Sequence, residues 1–213
     1  MAQLSAVRDS AEYPFWLYLP EDSILEAHAP VLIFLHGRSL SGTDLKSVKR
    51  YGVITEIEKG RNIGALVVAP QVPKGQAWSP DKIISVLDYV QQKYQTDSNR
   101  VYVCGMSLGG YGTLNLVGKY PDRVAAAIAM CGGGDVNNAC NMAKVPLWIR
   151  HGAKDKAVPI SESEKVVQAI RECDGGKLLS YTRLEDANHG DLAKFFRMDT
   201  MYEWLFKHHK EQP

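Results

Sequence analysis

Residues 100–116, RVYVCGMSLGGYGTLNL, run a short apolar stretch into a serine flanked by glycines and then resume an apolar pattern at helical spacing. A strand joined to a helix needs a turn, but it does not need such a serine. Gly105-Met106-Ser107-Leu108-Gly109 fits G-x-S-x-G, and the junction of a strand with a helix is where a nucleophile elbow sits. A serine on so tight a turn is held in an unfavourable backbone geometry. Neighbouring side chains would collide there, and Gly105 and Gly109 remove them. The hydroxyl then projects above the sheet, over a helix N-terminus whose free N–H groups favour an anion. The plainer reading is a glycine-rich turn with serine as a helix cap, and the pentapeptide alone does not separate the two.

Outward from the serine, apolar runs that stop at Gly or Pro read as strands: FWLYLP (15–20), PVLIFLH (30–36), GALVVAP (64–70), VAAAIAMC (124–131), VPLWIRHG (145–152) and LLSYTRL (178–184). Continuous rather than alternating apolar runs suit strands buried on both faces of a parallel sheet. Between them lie helix candidates at 80–95, 108–119, 161–173 and 189–209. The first opens on Ser79-Pro80, a cap and first-turn pair, with Ile83, Ile84, Leu87 and Val90 on one face. This alternation predicts an α/β fold: a mostly parallel, twisted sheet with helices on both faces. Ligands of such sheets sit at the carboxyl ends of the strands.

The 213 residues, 45% hydrophobic and 23% charged, suit one domain spanning 1–213. With a formal net charge of +1 and scattered Lys and Arg, nothing marks a nucleic-acid or anionic-lipid surface. No apolar stretch is long enough to span a membrane. The N-terminal residues contain no apolar leader segment, so the chain as given reads as cytoplasmic, while a removed leader would make it secreted. Monomer and homo-oligomer fit the sequence equally. Cys104, Cys131, Cys140 and Cys173 do not make a disulfide framework. Cys104 reads as a small apolar strand residue, and a bridge between Cys131 and Cys140 across their loop is left open. The cysteine spacing matches no zinc pattern, and neither metal nor cofactor is expected.

A serine hydroxyl needs a base, and the base a third group to hold it. Asp155 follows the run ending near Ile149, and His189 follows the run ending near Leu184. Both lie at carboxyl strand ends, on the side of Ser107, in the order Ser, Asp, His. Asp135, after the run ending at Cys131, is the rival acid. Asp186 and Asp191 share the loop or helix of His189, and His208 and His209 read as solvated. Two backbone donors are expected to meet an oxyanion: Leu108 N–H, and Arg38 N–H in the loop His36-Gly37-Arg38-Ser39, where Gly37 permits the turn toward the site. His36 reads as a brace for that loop and His151 as a support for the loop of Asp155. Trp78 is weighed as a pocket wall against a surface packing aromatic, with Gln71 and Tyr111 as weaker pocket candidates.

With LIFLHGRS, VYVCGMSLGGYGT, WIRHGAKDKAVP and DANHG in place, the chain resembles the α/β-hydrolase superfamily. The nearest groups are the small carboxylesterases of the phospholipase/carboxylesterase and polyhydroxybutyrate-depolymerase-like types. The resemblance covers about residues 30 to 190, and its HG-x-x-D-x-x-V-P pattern falls on Asp155. It implies Ser107 as nucleophile, Asp155 as acid, His189 as base, and a short acyl, aryl or sugar-linked ester as substrate. Two departures stand out. The His-Gly loop continues Arg-Ser, and no insertion after residue 131 is long enough for a large cap domain. An open site argues against a true lipase. A prolyl-oligopeptidase-like peptidase, an acyl thioesterase and a non-catalytic binding module on a hydrolase scaffold are the alternatives.

Overall fold

The apolar run at residues 29–35 lies at the centre of the sheet, and every one of its side chains is buried. It sits in a computed structural model that describes residues 3–174 and 176–210. In chain order the elements are β1 (Gln3–Val7), β2 (Phe15–Leu19), α1 (Asp22–Glu26), β3 (Ala29–Leu35), α2 (Val53–Glu58), β4 (Leu66–Pro70), α3 (Pro80–Lys93), β5 (Thr96–Met106), α4 (Leu108–Lys119), β6 (Ala126–Met130), α5 (Ala139–Met142), β7 (Leu147–Gly152), α6 (Ser161–Asp174), β8 (Leu179–Leu184) and α7 (Asp199–Phe206), with short 3-10 turns between them. The sheet order is β1-β2-β4-β3-β5-β6-β7-β8. The strands from β4 to β8 in that order run parallel, and β1 and β2 form an antiparallel edge.

Burial on both faces explains the unbroken apolar runs. Val31, Ile33 and Leu35 of β3 enter one core with Leu87 of α3 and Leu114 of α4. Leu32 and Phe34 enter the opposite core with Ile54 of α2 and Leu205 of α7. The expected cap of α3 is present: Ser79 Oγ accepts from Lys82 N at 3.5 Å, with Pro80 in the first turn. The chain steps from β3 to β4 on one side and then to β5 on the other. That reversal leaves a crevice at the carboxyl ends of β3 and β5, where α/β sheets hold ligands.

The structure corrects three sequence expectations. β1 was invisible because its side chains are exposed or half-buried and carry no apolar run. The single helix expected over 189–209 is broken into a 3-10 segment, Gly190–Arg197, and α7, with Met198 extended between them. Side chains meet the carbonyls freed at the break: Arg61, from after α2, donates to Arg197 O at 2.6 Å, and Tyr202 Oη of α7 donates back to Phe196 O at 2.8 Å. Helical periodicity cannot register such partners. Finally, Cys140 is bonded to Cys173, joining α5 to α6, and does not pair with Cys131. Cys131, the residue after β6, is a buried free thiol, as Cys104 is on β5. Nearness along the chain suggests Cys131 for Cys140, whereas the packing of α5 against α6 brings Cys173 to it.

The Cys140–Cys173 bridge closes 33 residues of sequence. A loop of that length contributes about 3–4 kcal/mol by restricting the unfolded chain. Reduction, or Cys140→Ser with Cys173→Ser, is therefore expected to lower the melting temperature by about 5–15 °C; an unchanged melting curve under reducing conditions would contradict this.

Candidate active site

Ser107 carries φ +60° and ψ −122°, a conformation that L side chains rarely adopt. Such strain costs about 1–3 kcal/mol and persists only where surrounding structure enforces it. Here the enforcement is visible. Ser107 N donates to Met130 O at 2.9 Å, and Tyr111 N donates to Ser107 O at 3.1 Å, opening α4 directly after the strand. A Cβ on Gly105 would stand 2.2 Å from Gly109 O, and one on Gly109 would stand 1.8 Å from Leu35 O. Both glycines of the pentapeptide are thus required by backbone contact.

The loops after β7 and β8 are laced together: Ala153 N donates to Leu184 O at 2.9 Å and Lys154 N to Ala187 O at 3.0 Å. The lacing places Asp155 against His189, whose Nδ1–H donates to Asp155 Oδ2 at 2.7 Å. Asp155 Oδ1 accepts from Ala157 N at 2.8 Å and Val158 N at 2.9 Å. Burial alone would raise the Asp155 carboxyl, but these amides and the His189 ring outweigh it and hold the group below the usual carboxylate value. The Asp155 side chain is fully buried, while that of His189 remains 27% exposed. The ring lies between the carboxylate and a cavity of about 510 Å³ that Ser107, Leu108, Gly37 and Arg38 also line. Among the described residues Ser107 Oγ makes no hydrogen bond to His189; contacts of this kind often tighten only when substrate arrives.

The loop after β3 approaches the serine closely: a Cβ on Gly37 would lie 3.2 Å from Ser107 Cβ. His36 is buried; its Nδ1–H donates to Gly37 O at 2.7 Å, and its Nε2 accepts from Val72 N at 3.3 Å. Trp78 is neither pocket wall nor surface aromatic. It is 4% exposed, donates Nε1–H to His36 O at 3.1 Å, and lies edge-on to His36 and Tyr13. Gln71 likewise stays out of the cavity, donating to Leu40 O and Asp44 O at 2.8 Å each. Both brace the loop from beneath. Tyr111 does line the cavity, its hydroxyl donating to Glu162 Oε2 at 3.0 Å.

The other candidates lie elsewhere. Asp135 caps a turn by accepting from Asn137 N, and Asp186 pairs with Lys154. Asp191 holds Lys194 and Asn188 N. His151 pairs through Nδ1 with Ser163 Oγ at 2.7 Å and through Nε2 with Val158 O at 3.0 Å, so it supports the Asp155 loop from inside. His208 is half-buried against Trp204 rather than solvated.

Two residues of the site went unseen in the sequence. Tyr51 Oη accepts from Gly37 N at 2.7 Å and lines the cavity, its pKa pushed up to about 12 by burial. Tyr51 belongs to no motif, and nothing in KRYGV announces it. Cys131 Sγ lies with an Asp155 oxygen and a His189 nitrogen, all within 4.8 Å of one another. That spacing is compatible with a metal ion. However, burial pushes the thiol up to about 12, and Asp155 already accepts three bonds. A metal ligand must give up its proton, so the donor set fits a cation poorly.

The profile of the prolyl oligopeptidase family matches residues 74–140, the stretch that contains the elbow. A feruloyl esterase B from Thermothelomyces thermophilus is 29% identical over 156 residues, covering 62% of this chain and 49% of that protein. A bifunctional acetylxylan esterase/xylanase from Neocallimastix patriciarum is 25% identical over 164 residues, covering 73% of this chain and 23% of that protein. The chain thus spans half or less of the length of these relatives. Among solved structures, a thermostable esterase superposes with a TM-score of 0.82 at 27% identity, covering 98% of this chain and 63% of that one.

The buried His36 ring yields a pH dependence. Desolvation lowers its pKa from 6.5 to about 4, against the opposing pull of Gly37 O. Between those values the unfolded chain binds a proton that the folded one refuses, so stability falls as pH drops through this window. The loss from this ring approaches about 3 kcal/mol by pH 4 and goes no further below it. The denaturation midpoint should therefore decline from pH 7 to pH 4.5; a flat midpoint across that range is the contrary result.

Proposed function

We propose that this chain, a member of the α/β-hydrolase superfamily, is a serine carboxylesterase acting on short-acyl, aryl or sugar-linked esters, with residues 1–213 as one catalytic domain. The observation that carries the reading is the 2.7 Å bond from His189 to Asp155 beside a serine held at φ +60° over the same cavity. The sequence relatives, named as feruloyl and acetylxylan esterases, support this substrate class.

In the proposed reaction Ser107 Oγ attacks the ester carbonyl while His189 takes its proton. Asp155 holds the ring and stabilises the imidazolium without itself being protonated. Negative charge on the former carbonyl oxygen meets the N–H groups of Leu108 and Arg38. His189 then protonates the departing alcohol. Water releases the acyl group by the same route in reverse. Tyr51 acts one step removed. By accepting from Gly37 N it takes that amide out of competition and fixes the turn that aims Arg38 N–H.

The match to the prolyl oligopeptidase family profile favours a second reading, a serine peptidase. Comparing p-nitrophenyl esters with p-nitroanilides separates the two. Ester turnover is expected to dominate, and dominant anilide turnover would reverse the order. Ser107→Ala should abolish both hydrolysis and covalent labelling by a phosphonate inhibitor, and Asp155→Asn should lower kcat on the order of 10⁴-fold. Full activity in Ser107→Ala is incompatible with the mechanism. Tyr51→Phe keeps the ring but loses the stronger acceptor, and kcat should fall on the order of tenfold with KM nearly constant, less than the 10²–10³ cost of deleting an oxyanion donor. A changed KM with constant kcat would assign Tyr51 to substrate binding instead.

A further inference from the structure

Beyond the oxyanion loop the cavity does not end. A second hollow of about 680 Å³ shares Arg38, Ser39 and Leu108 with the first and continues past Ser41, Lys74 and Gln76. The two lobes differ in chemistry. The first is walled by Tyr51, Met106, Tyr111 and Val158, with His189 on its rim. The second holds two cations and no carboxylate in its lining. Neither cation is spent on the protein: among the described residues, no ion pair or side-chain hydrogen bond engages the exposed Arg38 guanidinium or Lys74 ammonium. Ser41, also in the lining, has a buried Oγ without a hydrogen-bond partner among the described residues. A third cation stands close by, since Arg50 donates to Ser39 O. The nearest acid along the chain, Asp44, is turned to its own turn, accepting from Lys46 N. Unpaired like charges that line one hollow repel one another, and an anion bound there relieves the repulsion.

The direction of the lobe assigns it to one half of the substrate. The leaving oxygen must lie within reach of His189, so the alcohol half belongs to the lobe that contains His189. The oxyanion points at Leu108 and Arg38. The acyl substituent, directed away from His189, is left to run past those donors. We propose that the second lobe is a subsite for a negatively charged acyl terminus, so that the preferred substrates are esters of dicarboxylic acids or of other acyl groups ending in carboxylate. This rests on the esterase reading above and names the acyl class that reading leaves open.

The test compares kcat/KM for mono-p-nitrophenyl adipate with that for p-nitrophenyl hexanoate, which matches it in chain length, and for 3-carboxy-4-nitrophenyl hexanoate, which carries its charge on the leaving group. The adipate-to-hexanoate ratio should fall about fivefold in Lys74→Met, the scale of one exposed charge pair, be restored in Lys74→Arg, and stay put in Lys207→Met, a control at the exposed residue that follows α7. Raising salt to 0.5 M should lower the wild-type ratio, because screening at that strength shortens charge interactions to a few ångströms. A ratio that is the same in wild type and Lys74→Met overturns the subsite. So does a Lys74-dependent preference for the charged leaving group over the charged acyl group. Hexanoate turnover that disappears in Ser107→Ala reports on the esterase reading by itself, so the two ideas fail separately. A wild-type protein that turns over none of the three overturns both.

Discussion

The site depends on how closely two pieces of backbone approach: the start of α4 against the end of β3. Gly109 lies so near the Leu35 carbonyl that no side chain fits between them. Because the helix begins in contact with the neighbouring strand, the residue before it has no room for relaxed dihedrals, and Ser107 is held at φ +60°. The same approach carries the loop after β3 to the serine, which is why Gly37 sits against Ser107. The proposed nucleophile and the loop proposed to meet the oxyanion are thus positioned by one packing constraint. A side chain at 109 would separate them together.

Around that constraint stands a layer of buried polar groups whose partners are mostly main chain. His36, Trp78 and Tyr51, and Gln71 through Nε2, bond backbone within the β3 loop or the segments beside it. On the other wall His151 and Ser163 do the same for the Asp155 loop, with Ser163 Oγ donating to Gly132 O at 2.6 Å. Buried polar groups are costly unless satisfied, so these side chains define one loop geometry and penalise others. That suits a centre whose donors must be in place before charge develops.

Much of this was legible in the sequence for physical reasons. Strands buried on both faces cannot conceal their apolar runs, so β3 to β7 stand out; of the half-exposed edge strands, β8 still offers LLSYTRL, whereas β1 offers no apolar run. Ser107, Asp155 and His189 could be nominated because each follows a strand and the topology gathers carboxyl strand ends at one edge. Their mutual distances are not a property of spacing along the chain. Trp78 was misjudged because an indole beside a strand end looks the same whether it faces a cavity or lies beneath a loop; the deciding contact is with His36 O, a backbone atom of another segment. Tyr51 failed for the same reason, its partner being an amide 14 positions away. The break at Met198 and the Cys140–Cys173 bond also depend on tertiary neighbours, which periodicity cannot encode.

The cysteine at the end of β6 has a consequence for experiment. Cys131 and Cys104 are enclosed and held protonated by burial, and thiols so placed are inert toward alkylating reagents. An alkylator added to the native protein therefore waits for the sheet to open. Cys131 lies beneath the serine, so the rate at which mass is gained there is a stopwatch for breathing at the heart of the molecule, read without any substrate at all.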